Sequence, residues 1–255
     1  MTPVHLATGA ATDVGRVRDH NEDAFLVTDR VMAVADGMGG HAAGEVASAL
    51  AIESLEALAT RDVVTADDVG AAVEAANDAI LDSAVEHPER RGMGTTLTGL
   101  ALVTSGGGEG DGEAAGWVVF NVGDSRVYRL AAGTLEQLTV DHSEVQELID
   151  AGVITSREAA IHPARNVITR SLGLMASAEP DLWTLPVEDG ERFLVCSDGL
   201  TNEVRESDLA RILGEEDDPQ EAAELLVAAA NRSGGRDNIT VVVVHARLTG
   251  EPGSP

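Results

Sequence analysis

The sequence predicts an α+β fold in which two mainly antiparallel sheets pack together and pairs of helices cover their outer faces (αββα). Three observations lead there. Strands come in blocks, helices come in pairs, and several strands are apolar along both faces. Alternating βαβ units would interleave strands and helices one by one, which this chain does not do.

The N-terminal third supplies three strands. Val4 to Thr12 alternates, Ala24 to Thr28 is short, and Val31 to Ala35 is a continuous apolar run. That run ends in "VMAVADGMGG", where Asp36 is expected at the strand end before a loose, glycine-rich turn. Two helices follow. "EVASALAIESLEALA" places Val46, Leu50 and Leu58 on one face, and "DDVGAAVEAANDAILDSAVE" repeats Val69, Val73, Ala76, Ile80 and Ala84 at helical spacing.

Strands return with "TTLTGLALVT", "GWVVFNVGD" and "RVYRLAAGTLEQLT", the last a hairpin around Ala132-Gly133. The acidic, glycine-rich residues 105 to 116 read as a mobile hairpin loop. Residues 142 to 170 break the β rhythm with two short helical pieces and read as a small insertion. The rest reads as the strand "RFLVCSDG", a helix capped by Ser207, a helix opened by Pro219, and the strand "DNITVVVVHARL". No repeat or linker divides the chain, so one domain is expected over residues 1–247, with 248–255 as a tail.

Composition narrows the function. Seventeen basic residues, all Arg, face 44 acidic ones, for a net charge of -27. Such a surface repels nucleic acid and anionic lipid. Cys196 is the one cysteine, which precludes an internal disulfide and suits a reducing compartment. The start lacks a secretory signal, and no apolar run approaches the roughly 20 residues a bilayer needs. The chain is expected to be cytoplasmic, which leaves open an anchor beyond Pro255 in a longer parent.

Acidic residues recur in one setting. Asp36 follows "VMAVA", Asp124 follows "VVFNVG", Asp198 follows "FLVCS", Asp237 precedes "NITVVVV", and Glu22 and Asp23 precede "AFLV". Any one of these reads as turn chemistry, because Asp-Gly is an ordinary turn pair. Five such sites on strands sharing one core would crowd negative charge onto a rim, which a cation must offset. Oxygen donors without Cys or a consistent His point to Mg²⁺ or Mn²⁺ rather than zinc. Two such ions about 3.5–4 Å apart polarise a phosphoryl group and generate hydroxide from a bridging water. The Gly37 carbonyl lies where a backbone oxygen could approach an ion, and Arg18, four residues before Glu22, could clamp a phosphate.

The motifs "VGRVRDHNEDAF", "VADGMGGHAAGE", "GMGTTLTG", "NVGDSRVYRL", "LTVDHS", "TRSLG", "LVCSDGLTNEV" and "GGRDNITVVVV" occur in order from about Ala10 to Val244. In them the chain resembles the metal-dependent serine/threonine protein phosphatases of the type 2C (PPM) family, the bacterial branch in particular. The resemblance implies a β-sandwich with a dinuclear Mn²⁺ or Mg²⁺ centre on one rim. Asp36 matches the carboxylate that bridges both ions. Glu22 and the Gly37 carbonyl match ligands of one ion, and Asp198 and Asp237 match ligands of the other. Arg18 matches the phosphate-binding arginine. Asp124 matches a ligand of a third, weaker ion shared with Asp198. Residues 142 to 170 match the flap, which contains His162. Where several eukaryotic members carry a His after Asp-Gly, this chain has Met38; His41 or a metal-bound water could protonate the leaving group, and the acid stays unassigned.

Asp23 and Asn238 adjoin these positions and read as residues that orient waters or carboxylates. For Asn238 an equal alternative is satisfaction of local backbone groups. The expected reaction is direct hydrolysis of phosphoserine or phosphothreonine by in-line attack of the bridging hydroxide. Implied partners are phosphorylated proteins, namely Ser/Thr kinases and their targets. Two rivals are weaker. A phosphoprotein-binding pseudophosphatase would have lost Asp36 or Asp237, and a nucleic-acid or nucleotide hydrolase sits poorly with the charge.

Overall fold

A computed structural model describes residues 3–39, 43–61, 63–105 and 114–249. The first sheet has the order β1-β11-β10-β7-β8, with β1 Val4–Asp13, β7 Arg126–Ala131, β8 Thr134–Gln137, β10 Arg192–Cys196 and β11 Ile239–Leu248. The second has the order β2-β3-β5-β6-β9, with β2 Asp23–Val27, β3 Val31–Met38, β5 Leu97–Ser105, β6 Ala114–Val122 and β9 Asp181–Pro186. The short β4 Gly94–Thr95 pairs with the end of β3. Every pairing is antiparallel.

The apolar runs are explained by their alternation. In β3, Met32 and Val34 pack between the sheets while Val31, Ala33 and Ala35 pack against helices α1 Ala43–Ala59 and α2 Ala66–Glu86. In β11, Val242 and Val244 face inward while Val241 and Val243 pack against α6 Glu206–Glu215 and α7 Pro219–Ser233. Aromatics are few, and Trp117 and Phe193 meet edge to face across the sandwich at 5.1 Å.

Several sequence expectations change. β3 does not end before Asp36; it runs to Met38, with Asp36 opposite Asp23 and Gly37 opposite Thr95. The buried stripe of α1 is Ala47, Ala51, Leu55 and Leu58, with Val46 and Leu50 at its margin. Helix α6 begins at Glu206 after Arg205, so Ser207 lies inside the first turn and caps nothing. Strand β9 and the short helix α5 Asp198–Thr201 were not anticipated. The Ala132–Gly133 hairpin and Pro219 at the start of α7 are as expected, with Asp218 capping Gln220. Within the expected insertion at 142–170, α3 Glu144–Asp150 and α4 Ser156–Ala159 are closed by a Ser143–Ile168 bridge. Most of the glycine-rich loop, 106–113, and the tail 250–255 lie outside the described residues. No described helix is long and apolar enough to cross a membrane.

Candidate metal centre

Both sheets present acidic residues at one rim of the sandwich. Asp36 continues the inward-facing series of Met32 and Val34, so its carboxylate enters the gap between the sheets where the packing ends. Asp124 sits in the β6–β7 turn and is 7% exposed. Asp198 opens α5 directly after β10, and Asp237 precedes β11. Glu22 lies just ahead of β2, half-buried.

Hydrogen bonds to the main chain hold Asp36 and Glu22 in place. The Asp36 N–H donates to Thr96 Oγ1 at 3.0 Å, and its carbonyl accepts from Thr96 N and Thr95 Oγ1, both at 2.9 Å. The Glu22 carbonyl accepts from Ser48 Oγ at 2.6 Å and from Gly37 N at 3.2 Å. A Cβ on Gly37 would lie 2.3 Å from the Gly44 carbonyl oxygen, so only glycine lets the start of α1 close over β3 beside Glu22.

The carboxylates repel one another. Burial, and then Asp23, Asp198, Asp124 and Asp237, push the Asp36 pKa well above the usual carboxylate range. Burial followed by Asp198 raises Asp124, and burial followed by Asp237 raises Asp198. Arg18 Nη2 donates to Asp237 Oδ2 at 2.7 Å, and Asn202 Nδ2 donates to Asp198 Oδ2 at 2.9 Å. Among the described residues, no three Asp, Glu, His or Cys side chains stand close enough together to hold an ion as they are placed.

The donor set fits divalent hard cations. It is made of carboxylate and backbone oxygens, and Asp23 Oδ1 and Asp124 Oδ1 are buried without a partner among the described residues. A charge of that sign and density at one rim is what such ions neutralise.

Of the remaining predicted residues, Asp23 lies opposite Asp36 in the β2–β3 pairing, its Oδ2 accepting from Ser197 Oγ at 2.9 Å. Asn238 reaches a carboxylate only through its main chain, whose N–H donates to Asp237 Oδ1 at 2.9 Å. Its side chain accepts from Glu22 N at 2.9 Å and donates to the carbonyls of Val14 at 3.0 Å and His20 at 2.9 Å, which is the backbone role. His162 lies after α4, its Nδ1 accepting from Ala164 N at 3.2 Å, and it does not line the groove described next. His41 lies outside the described residues. Asn202, Ser197, Thr96 and Ser125 were not singled out from sequence. Only Asn202 carried a signal, being four residues after Asp198 on one helical face.

A groove of about 1050 Å³ runs from the rim to the flap. Arg18, Gly199, Asn202 and Asp237 line its rim end, and Val145, Ile149, Ile161 and Arg165 line its flap side. Its floor carries Arg126, which grips Asp141 with Nε at 2.9 Å and Nη2 at 2.6 Å.

The chain is similar to known proteins over most of its length. The family model described as Protein phosphatase 2C matches residues 15–227. The serine/threonine phosphatase stp of Listeria welshimeri is 38% identical over 248 residues, covering 93% of this chain and 94% of that protein. The serine/threonine protein phosphatase PstP of Mycobacterium tuberculosis is 42% identical over 241 residues; the match covers 93% of this chain and 44% of that longer protein. The crystal structure of the catalytic domain of PstP in complex with two manganese ions superposes with a TM-score of 0.84 at 38% identity, covering 96% of this chain and all of that one.

Proposed function

Because the chain belongs to the protein phosphatase 2C family, we propose that it hydrolyses phosphoserine and phosphothreonine in proteins at the rim centred on Asp36. It is a metal-dependent serine/threonine protein phosphatase of the bacterial branch. The observation that carries the site assignment is the convergence of Asp36, Asp124, Asp198 and Asp237 from both sheets, close enough to raise the Asp36 pKa together.

In this reading Asp36, Glu22, the Gly37 carbonyl, Asp198 and Asp237 would together hold two ions, either Mn²⁺ or Mg²⁺. Asp124 with Asp198 would hold a weaker third. When bound, the ions supply the field that activates water and offsets charge developing on the phosphoryl oxygens. Arg18 presents a half-exposed guanidinium, oriented by Asp237, to the substrate phosphate. The groove toward the flap receives the polypeptide on either side of the phosphorylated residue.

No protein nucleophile is needed. Cys196 is buried and burial pushes its thiol up to about 12, Ser197 Oγ is engaged by Asp23 and the Thr240 N–H, and Ser125 Oγ is engaged by Thr96. Direct attack by water in line with the leaving alkoxide remains. Substrates are therefore products of Ser/Thr kinases. We also propose residues 1–247 as the catalytic domain with the flap at 142–170, and a cytoplasmic site of action suited to a single reduced cysteine.

The test is phosphate release from a phosphothreonine peptide with Mn²⁺, Mg²⁺ or chelator, for wild type and Asp36→Asn. Metal-dependent turnover lost in the variant is expected. A folded wild type that binds Mn²⁺ yet releases no phosphate would leave only a phosphoprotein-binding role.

A further inference from the structure

His142 stands at the base of the flap and is 7% exposed. Its ring is fully engaged. Nδ1 accepts the Gly123 N–H at 3.0 Å, so the ring proton is on Nε2, which donates to Asp181 Oδ2 at 3.1 Å. Its main chain is tied in the same direction: the His142 N–H donates to the Gly123 carbonyl at 2.9 Å, and the Thr169 N–H donates to the His142 carbonyl at 2.8 Å. Asp181 is itself held by Arg170 Nη1 at 2.7 Å, which also reaches the Glu179 carbonyl at 3.1 Å.

Gly123 therefore has its amide hydrogen and its carbonyl oxygen both bound by His142, the carbonyl also accepting from Asn121 Nδ2 at 3.0 Å. It adopts φ +116°, where a Cβ would lie 2.5 Å from the Thr96 methyl group. The next residue is Asp124, with one buried oxygen lacking a partner among the described residues. Beyond it, Ser125 Oγ meets Thr96 Oγ1 at 2.8 Å, and Thr96 Oγ1 accepts the Asp36 N–H at 3.0 Å. A continuous path of hydrogen bonds and chain thus runs from Arg170, at the end of the flap, through Asp181, His142 and Gly123 to Asp124 and Asp36.

We propose that His142, oriented by Asp181 and Arg170, is a positioning residue that fixes the Gly123 peptide and thereby aims the Asp124 carboxylate into the rim, linking the base of the flap to the weakest ion site. The proposal rests on the reading of Asp124 as a metal ligand. A histidine that merely filled the core would not need both ring nitrogens and both main-chain groups directed at the turn before Asp124 and at the flap end. Asp181 comes from β9, paired with Asn121 of β6, so the orienting carboxylate is carried by a sheet edge rather than by the loop it steadies.

The two amide analogues of histidine separate the contacts. Asn places an acceptor near the Nδ1 position and keeps the Gly123 bond; Gln places its amide near Nε2 and keeps only the Asp181 bond. Mn²⁺ binding is followed by calorimetric titration of wild type, His142→Asn, His142→Gln, Asp181→Asn and Asp124→Asn, alongside kcat, KM and thermal melts. His142→Gln is expected to weaken the weakest Mn²⁺ step by about tenfold or more, as Asp124→Asn does, leaving the tighter steps in place. Its kcat falls with KM little changed, and His142→Asn retains most of the binding. An isotherm for His142→Gln identical to wild type overturns the proposal. If that variant fails to fold, Asp181→Asn decides by the same criterion. If Asp124→Asn also leaves the isotherm unchanged, the ligand reading of Asp124 falls with it; if only the His142 and Asp181 variants are silent, the positioning role alone is wrong.

Discussion

Replacing Asn238 with Ala tests how the phosphate arm is held. Asn238 is 6% exposed and ties three backbone groups on the strap from Val14 to Glu22, the segment that carries Arg18. Each such bond contributes about 1 kcal/mol net, which sets a ceiling of about 3 kcal/mol. The strap is at the surface, and water replaces part of what is lost, so the expected destabilisation is about 2 kcal/mol. In a chain of this size that lowers Tm by about 4–8 °C. With the strap loosened, Arg18 is no longer preset over Asp237, and kcat/KM should fall about tenfold. Urea unfolding in chelator isolates the stability effect from ion binding. The Asn238→Asp variant sharpens the test, because it turns two donors into acceptors facing the carbonyls of Val14 and His20. It should be at least as unstable as the Ala variant, whereas a residue that served the ions would be rescued by a carboxylate. A loss below about 0.5 kcal/mol for Asn238→Ala would refute the strap argument.

Three further outcomes are expected. Arg18→Lys replaces a fork with a point charge, and kcat/KM on a phosphothreonine peptide should drop about 10–100-fold; an unchanged value would remove Arg18 from phosphate binding. His245 is buried, and burial followed by Arg192 and Arg247, against Asp217, holds its pKa down to about 4. Its depressed pKa means stability is present above pH 6.5 and lost as pH falls toward 4, so wild type should lose about 2 kcal/mol more than His245→Gln between pH 7 and 5 in urea titrations. Parallel pH curves would assign that loss elsewhere. Glu191 is buried between the Trp117 Nε1, at 2.6 Å, and Arg129, at the end of β6 away from the rim. Glu191→Leu leaves Arg129 with Glu188 alone and strands the buried Trp117 Nε1 donor, and should cost about 2 kcal/mol with kcat/KM unchanged, as read by melts and by steady-state kinetics on the folded fraction.

Much of this architecture was legible because alternation and helical spacing are local signals. The near-continuous apolar runs of β3 and β11 marked strands covered on both sides, and their two faces do pack against different layers. The acidic residues at strand edges were legible for the same reason, since each stands beside such a run. The errors come from residues whose local meaning is overruled by distant partners. Asp36-Gly37 reads as a turn, yet Thr95 pairs with it and extends the strand. Strand β9 is short, flanked by Pro180 and ended by Pro186, and lies at a sheet edge where proline is tolerated. Ser207 carries a capping side chain, but the cap position falls two residues earlier, at Arg205, with no side-chain cap. Asn238 was undecided between two roles because its partners at Val14, His20 and Glu22 are more than 200 positions away. His142 and Asp181 were invisible, since nothing in "LTVDHS" announces a partner 39 residues on.

The pairing of β1 with β11 along its whole length has a consequence for how the protein is made. Thr12 and Thr240, 228 positions apart, share a hydrogen bond in that pairing. On a ribosome, the sheet containing β2, β3, β5, β6 and β9 is available with its two covering helices once residue 186 has emerged. The other sheet must hold β1 open until β11 arrives to lie between it and β10. Contacts that distant form late and slowly. Asp198 and Asp237 belong to that late half, whereas Glu22 and Asp36 belong to the early one. The rim therefore lacks Asp198 and Asp237 until β10 and β11 have been made, and until then the exposed β1 edge is open to pairing with a neighbouring chain.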